Sequence, residues 1–170
     1  STASAPCWSA RMLFSPLNPG EGTPQRNVDV DEVTRIGSYV YHLDGPSNRG
    51  DMLLWDVDVA TLDHGRWYCV EGRIDLNTPG QHDGVLQGWV DGKAAYSRSN
   101  LRFRRSGESN IDVKSFWFDV YYGGSQTSPI NNQIHFDSLA VDDERIGCDD
   151  SNGGRGTFTD DDDSIFESDI

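Results

Sequence analysis

The sequence predicts an all-β fold, a sandwich or jelly roll of antiparallel sheets, and three observations carry that expectation. Apolar residues come in short runs punctuated by Gly, Pro, Asn and Asp, with 18 Gly and 7 Pro in 170 residues, as befits many short strands joined by turns. From Trp67 to Leu76 the pattern alternates: Tyr68, Val70, Ile74 and Leu76 fall on one side, Cys69, Glu71, Arg73 and Asp75 on the other. That is a half-buried strand, one face against a core. No stretch shows the period of an amphipathic helix over a convincing length. One domain is expected at this size, spanning residues 1–148, with 149–170 set apart as an acidic linker or tail.

Taken in order, Trp8 to Phe14 (WSARMLF) reads as the first strand. A loop containing Pro and Gly and an acidic connector (VDVDEVTRIG) lead to a second strand at Ser38 to Leu43 (SYVYHL). Asp44 to Gly50 is turn-like, and Met52 to Val59 (MLLWDVDV) reads as a strand running toward the long central one. Asn77-Thr78-Pro79-Gly80 then breaks the chain. Val85 to Val90 follows and closes on Asp91-Gly92, a two-residue hairpin signal, so the next strand should pair back antiparallel. Leu101 to Arg104, Val113 to Tyr122 and Gln133 to Val141 complete the expected set.

Formal net charge is −14. Residues 149–170 hold eight acidic side chains and one Arg, so half of the excess lies in that segment. An acidic chain is a poor partner for nucleic acid or an anionic membrane, because binding there depends on Lys and Arg neutralising phosphates. A polyanionic ligand would need a local basic patch; Arg98, Arg102, Arg104 and Arg105 form one, to steer a polyanion or simply to solvate an edge strand. No run approaches a membrane span, and STASAPC lacks the regions of a signal peptide, so a targeting segment is expected to have been removed or to lie outside this sequence. Cys7, Cys69 and Cys148 allow one disulfide, with either pairing or burial open for each. Their spacing makes no metal site. The Asp160 to Asp163 run can attract calcium as a structural ion, but it does not match an EF-hand loop and reads first as solvated chain.

Two short motifs point to chemistry. Ser9 and Arg11, two apart in WSAR, project from one face of a strand, and Tyr39 and Tyr41 in SYVYH do likewise. A hydroxyl, a guanidinium and two phenols can then line one groove. By residue type alone, strand tyrosines more often pack and arginines more often solvate a surface.

The segments LNTPG, DGVLQGWVDG, FWFDVYYGGS and IHFDSLAV resemble the jelly-roll polysaccharide lyases of the alginate-lyase and glucuronan-lyase type, polysaccharide lyase families fourteen and twenty. The resemblance covers most of residues 7–148. It implies a concanavalin-like sandwich whose concave face holds an acidic polysaccharide, with the first strands expected upstream of Ser1. Such lyases carry a Ser-x-Arg strand followed by a Tyr-x-Tyr strand, matched in order by Ser9, Arg11, Tyr39 and Tyr41, which the resemblance makes the catalytic candidates. They also carry a Lys on a preceding strand, whereas the only lysines here are Lys93 and Lys114. The implied reaction is β-elimination on a uronate polymer, with no cofactor required and secretion as the expected location. It removes a proton from the carbon beside a carboxylate, so an Arg can hold that carboxylate while Tyr and Ser hydroxyls move protons.

Further candidates for substrate binding are His42, Glu71, Arg73, Gln87 and Trp89. His42 follows Tyr41 and should point to the opposite face, which favours a structural role. Glu71, Arg73 and Gln87 share the polar side of the central hairpin and either line a cleft floor or form cross-strand pairs. Trp89 can stack on a sugar ring or cover the core. The competing readings are a non-catalytic carbohydrate-binding module and an interaction domain with further domains or chains of a larger protein, since one fold hosts all three.

Overall fold

A computed structural model describes residues 8–16, 34–47, 49–63, 65–120 and 133–148. The long acidic loop, Cys7, Tyr121 and Tyr122, and the segment 149–170 with its aspartate run lie outside the described residues. The chain forms two compact units, Ser1–Asp112 and Val113–Ile170.

The first unit is a two-sheet antiparallel sandwich, the jelly-roll class expected. One sheet is built from β1 (Ser9–Pro16), β2 (Thr34–Tyr41) and β3 (Asp51–Leu54) in that order, with the short β4 (Thr61–Leu62) also on β2. The other has β5 (Val70–Asp75), β6 (Gly84–Val90) and β7 (Lys93–Leu101) in sequence order. The β6–β7 turn is Asp91-Gly92 with φ of 48° and 75°. Both residues are left-handed, as a two-residue hairpin turn of matching twist requires, and Gly takes such a φ without penalty. That turn obliges the very next residues to pair, so β7 starts at Lys93 and ends at Leu101, the residue at which the expected strand Leu101 to Arg104 begins.

Alternation brings Ile36, Ser38 and Val40 of β2 inward against Val90, Leu86 and their neighbours. Ile36, Trp55, Ala60, Val90 and Ala95 form one core cluster and Val40, Leu86, Leu101 and Phe103 a second. Trp55 is 1% exposed, its indole N–H donating to Ser38 Oγ at 3.0 Å. Its ring lies directly over Gly88, where an added Cβ would come within 2.4 Å. Gly72, opposite Gly88 in the ladder, leaves room for Met12 from the facing sheet.

Two corrections to the expected elements come from local chemistry. Met52 to Val59 is not one strand: after β3 the chain turns into a helical turn, α1 (Val57–Ala60), because the Asp56 side chain accepts from Asp58 N and caps it. Asn77 of the LNTPG segment is wholly buried and ties together three stretches of chain. Its Nδ2 donates to the carbonyls of Thr78, Gln81 and Arg104, and its Oδ1 accepts from the Phe103 and Arg104 amides. Phe103 and Arg104 are therefore held by a side chain rather than a strand ladder.

In the second unit the expected strands at Val113 to Tyr122 and Gln133 to Val141 are absent from the described residues, 113–120 and 133–141 having no regular secondary structure. Phe118 and Phe136 meet edge to face at 4.8 Å. An apolar run asks for burial, but only a hydrogen-bonded neighbour makes it a strand. Phe116, Trp117, Phe118 and Leu139 are exposed.

Candidate active site

The β1–β2 ladder sets the site. Its register places Ser9 opposite Tyr41 and Arg11 opposite Tyr39. Residues directly opposite in an antiparallel pair share a face, and the period of two puts both pairs on the same one. With Ile36, Ser38 and Val40 pointing to the core, these four side chains stand on the outer face of the sheet. Tyr39 and Tyr41 pack edge to face with ring centroids 5.5 Å apart. The Arg11 guanidinium carbon lies 5.8 Å from the Tyr41 ring centroid, within cation–π reach. Tyr41 is 39% exposed, so a ligand can reach it.

The far side of the pair is closed by the turn that leads into β3. Gly50, buried, donates its backbone N–H to Tyr39 Oη at 2.8 Å. The Tyr41 phenol is held above its ordinary value of 10.0, first by its hydrogen bond with Tyr39, then by desolvation and by the charge Tyr39 would carry; the Gly50 amide and Arg11 pull the other way. The 2.8 Å hydrogen bond of the Gly50 amide is to Tyr39.

His42 does not join this face. Its side chain is 1% exposed, with Nε2 3.2 Å from Asp51 Oδ2, and Arg98 reaches the same carboxylate oxygen at 3.3 Å. A ligand on the tyrosine face cannot touch it. Glu71, Arg73, Gln87 and Trp89 form a group of their own, Glu71 opposite Trp89 and Arg73 opposite Gln87, on the outer face of the other sheet. The sandwich core separates them from the tyrosines. Arg73 pairs with Asp75 at 2.7 Å, and Trp89 is buried. The basic cluster is likewise engaged in structure. Arg98 binds Asp51, Arg102 binds Asp44, Arg104 binds the Asn77 carbonyl and Arg105 pairs with Glu108. Among the described residues no three His, Cys, Asp or Glu side chains are grouped as metal ligands would be. No described helix is long and apolar enough to cross a membrane. Cys69 and Cys148 are each in the disulfide state.

Sequence reading missed Gly50, the residue that fastens Tyr39. The available signal was a glycine immediately ahead of a strand that pairs with the Tyr-x-Tyr strand, where a close backbone approach demands a missing side chain.

The chain is a polysaccharide lyase-like domain. The family model for polysaccharide lyase 14 matches residues 1–138, and the chain belongs to that family. Comparison with curated proteins and with solved structures finds no match.

Proposed function

We propose that this domain cleaves an acidic polyuronate, alginate or glucuronan, by β-elimination on the face bearing Ser9, Arg11, Tyr39 and Tyr41. The observation that carries the reading is the β1–β2 register, which sets Ser9 against Tyr41 and Arg11 against Tyr39 on one accessible surface. Removing the proton beside the uronate carboxyl builds negative charge on that group, and Arg11 is the cation positioned to meet it. A phenolate takes the proton and a hydroxyl delivers one to the departing glycosidic oxygen. Side chains supply this chemistry; calcium, if bound, has a structural role. The partner is an acidic polysaccharide rather than nucleic acid, and the place of action is outside the cell, in keeping with disulfide-bonded Cys69 and Cys148.

A non-catalytic carbohydrate-binding module is the second reading. The observation in its favour is that two aromatic rings packed edge to face with a guanidinium beside them also suit stacking on a sugar chain without cleaving it.

Incubation with polyuronates should generate unsaturated chain ends that absorb in the ultraviolet. Tyr41→Phe should abolish the signal and leave binding nearly intact, since only the phenolic proton is lost. Arg11→Ala should weaken binding as well as turnover, by roughly 2 kcal/mol for a charge-assisted hydrogen bond. Tight polysaccharide binding without unsaturated product from any polyuronate would leave the binding-module reading in place of the lyase.

A further inference from the structure

The tyrosine pair is chemically lopsided. Tyr39 Oη receives the Gly50 amide at 2.8 Å, a fixed backbone donor aimed at one of the two phenolic oxygens. A fixed N–H of this kind favours negative charge on the oxygen it meets, as an oxyanion-hole donor does, here on a side chain of the protein itself. We infer that the Gly50 amide makes Tyr39 the base of the pair and leaves Tyr41 as the acid. The inference rests on the β-elimination reading above and divides the labour within it.

The amide reaches Tyr39 only because residue 50 is glycine. A Cβ there would lie 2.7 Å from a Tyr39 ring carbon, inside contact distance. Asp51, the next residue, aims the amide: it opens β3, pairs in register with Val40, and is gripped by buried His42 and by Arg98. His42, Asp51 and Arg98 are thus positioning residues, acting through the strand end that carries Gly50. The charged group beside the pair is Arg11 on β1, opposite Tyr39 in the ladder and 5.8 Å from the Tyr41 ring centroid, while Asp51 points to the core side with Val40. The raised pKa of Tyr41, with its hydrogen bond to Tyr39 as the largest cause, agrees with Tyr41 as the partner that keeps its proton.

The step closes without an outside proton. The Tyr39 phenolate takes the proton from the carbon beside the carboxyl group; that electron pair forms the new carbon–carbon double bond as the glycosidic carbon–oxygen bond breaks. Tyr41 gives its proton to the leaving oxygen and becomes the phenolate. The proton on Tyr39 then returns to Tyr41 through solvent once product leaves, restoring the starting state.

The first test needs no substrate. With tyrosine labelled at the ring carbon bearing oxygen, NMR titration assigned by Tyr39→Phe and Tyr41→Phe should show Tyr39 ionising before Tyr41. The reverse order overturns the inference. The second uses a uronate carrying a dinitrophenoxy leaving group, which departs without protonation. Tyr41→Phe should recover activity on it and Tyr39→Phe should not; recovery by Tyr39→Phe alone, or by neither, contradicts the assignment. Gly50→Ala, its fold checked by circular dichroism, should lower kcat about a hundredfold with KM within about twofold. Unchanged kcat in a folded variant also counts against it. If the wild type makes no unsaturated product from any polyuronate, the lyase reading falls, while the titration order still judges what the Gly50 amide does to Tyr39.

Discussion

Replacing Asn77 by Ala should destabilise the first unit by about 3 kcal/mol. The side chain is 0% exposed and joins Thr78, Gln81, Phe103 and Arg104 through its amide. Not every partner is stranded by its loss. The Thr78 carbonyl keeps the Gln81 amide at 2.8 Å and the Arg104 carbonyl keeps the Gly80 amide at 3.1 Å. The Phe103 amide, the Arg104 amide and the Gln81 carbonyl lose their Asn77 partner. A buried group left unpaired costs about 1–3 kcal/mol. Water entering the vacated amide volume can serve Gln81 and Arg104, leaving the buried Phe103 amide to bear most of the penalty. Urea denaturation followed by fluorescence and circular dichroism should show a lower midpoint at unchanged slope. Asn77→Asp keeps an acceptor for both amides but turns a carboxylate oxygen toward the Gln81 carbonyl, so it should also destabilise. A loss below about 1 kcal/mol for Asn77→Ala would refute the view that this amide organises the 77–104 region.

Other outcomes are expected from single sites. Gly88→Ala drives a methyl into the Trp55 ring, and overpacking of this kind should lower stability by about 1–3 kcal/mol in the same denaturation assay. The Asp83 carboxyl sits below its ordinary 3.8, held there first by the Thr78 hydroxyl and also by the Thr78 amide. A depressed carboxyl stabilises the fold above its unfolded pKa, and the contribution is lost as pH falls through the folded value. Asp83→Asn should therefore melt below the wild type at neutral pH, with the gap closing under acid; a gap that persists at low pH would exclude this linkage. On polyuronates, the Tyr41→Phe and Arg11→Ala variants should separate loss of turnover from loss of binding, read by ultraviolet product and by direct binding.

The site's inner geometry was legible in the sequence because it depends on parity along two adjacent strands. Ser9 with Arg11 and Tyr39 with Tyr41 each share a face by spacing alone, and a regular ladder brings them together. Parity says nothing about which outer face of a sandwich a distant strand supplies. Glu71, Arg73, Gln87 and Trp89 do form one side of a hairpin, yet their sheet is the one across the core. The helical turn at Val57–Ala60 was hidden for another reason: DVDV alternates like a strand, and only the capping bond from Asp56 decides otherwise. At 113–120 and 133–141 the apolar runs were plain, but a ladder depends on a distant partner that no local pattern names. Gly50 looked like an ordinary turn residue, since the contact that gives it meaning crosses to Tyr39, eleven positions earlier.

The meeting of Trp55 with Gly88 binds the history of two positions together. The indole fills the space that the absent side chain leaves, so neither position can drift alone: a larger residue at 88 collides, and a smaller one at 55 leaves a hollow. Substitutions at such a pair are not additive. Lineages that alter this spot are expected to change both residues within a short interval, trading the ring for a smaller apolar group as the glycine gains carbon. In a protein library varied one position at a time, both sites would look intolerant. Varied together, they should yield a second set of well-packed sandwiches that single steps do not reach.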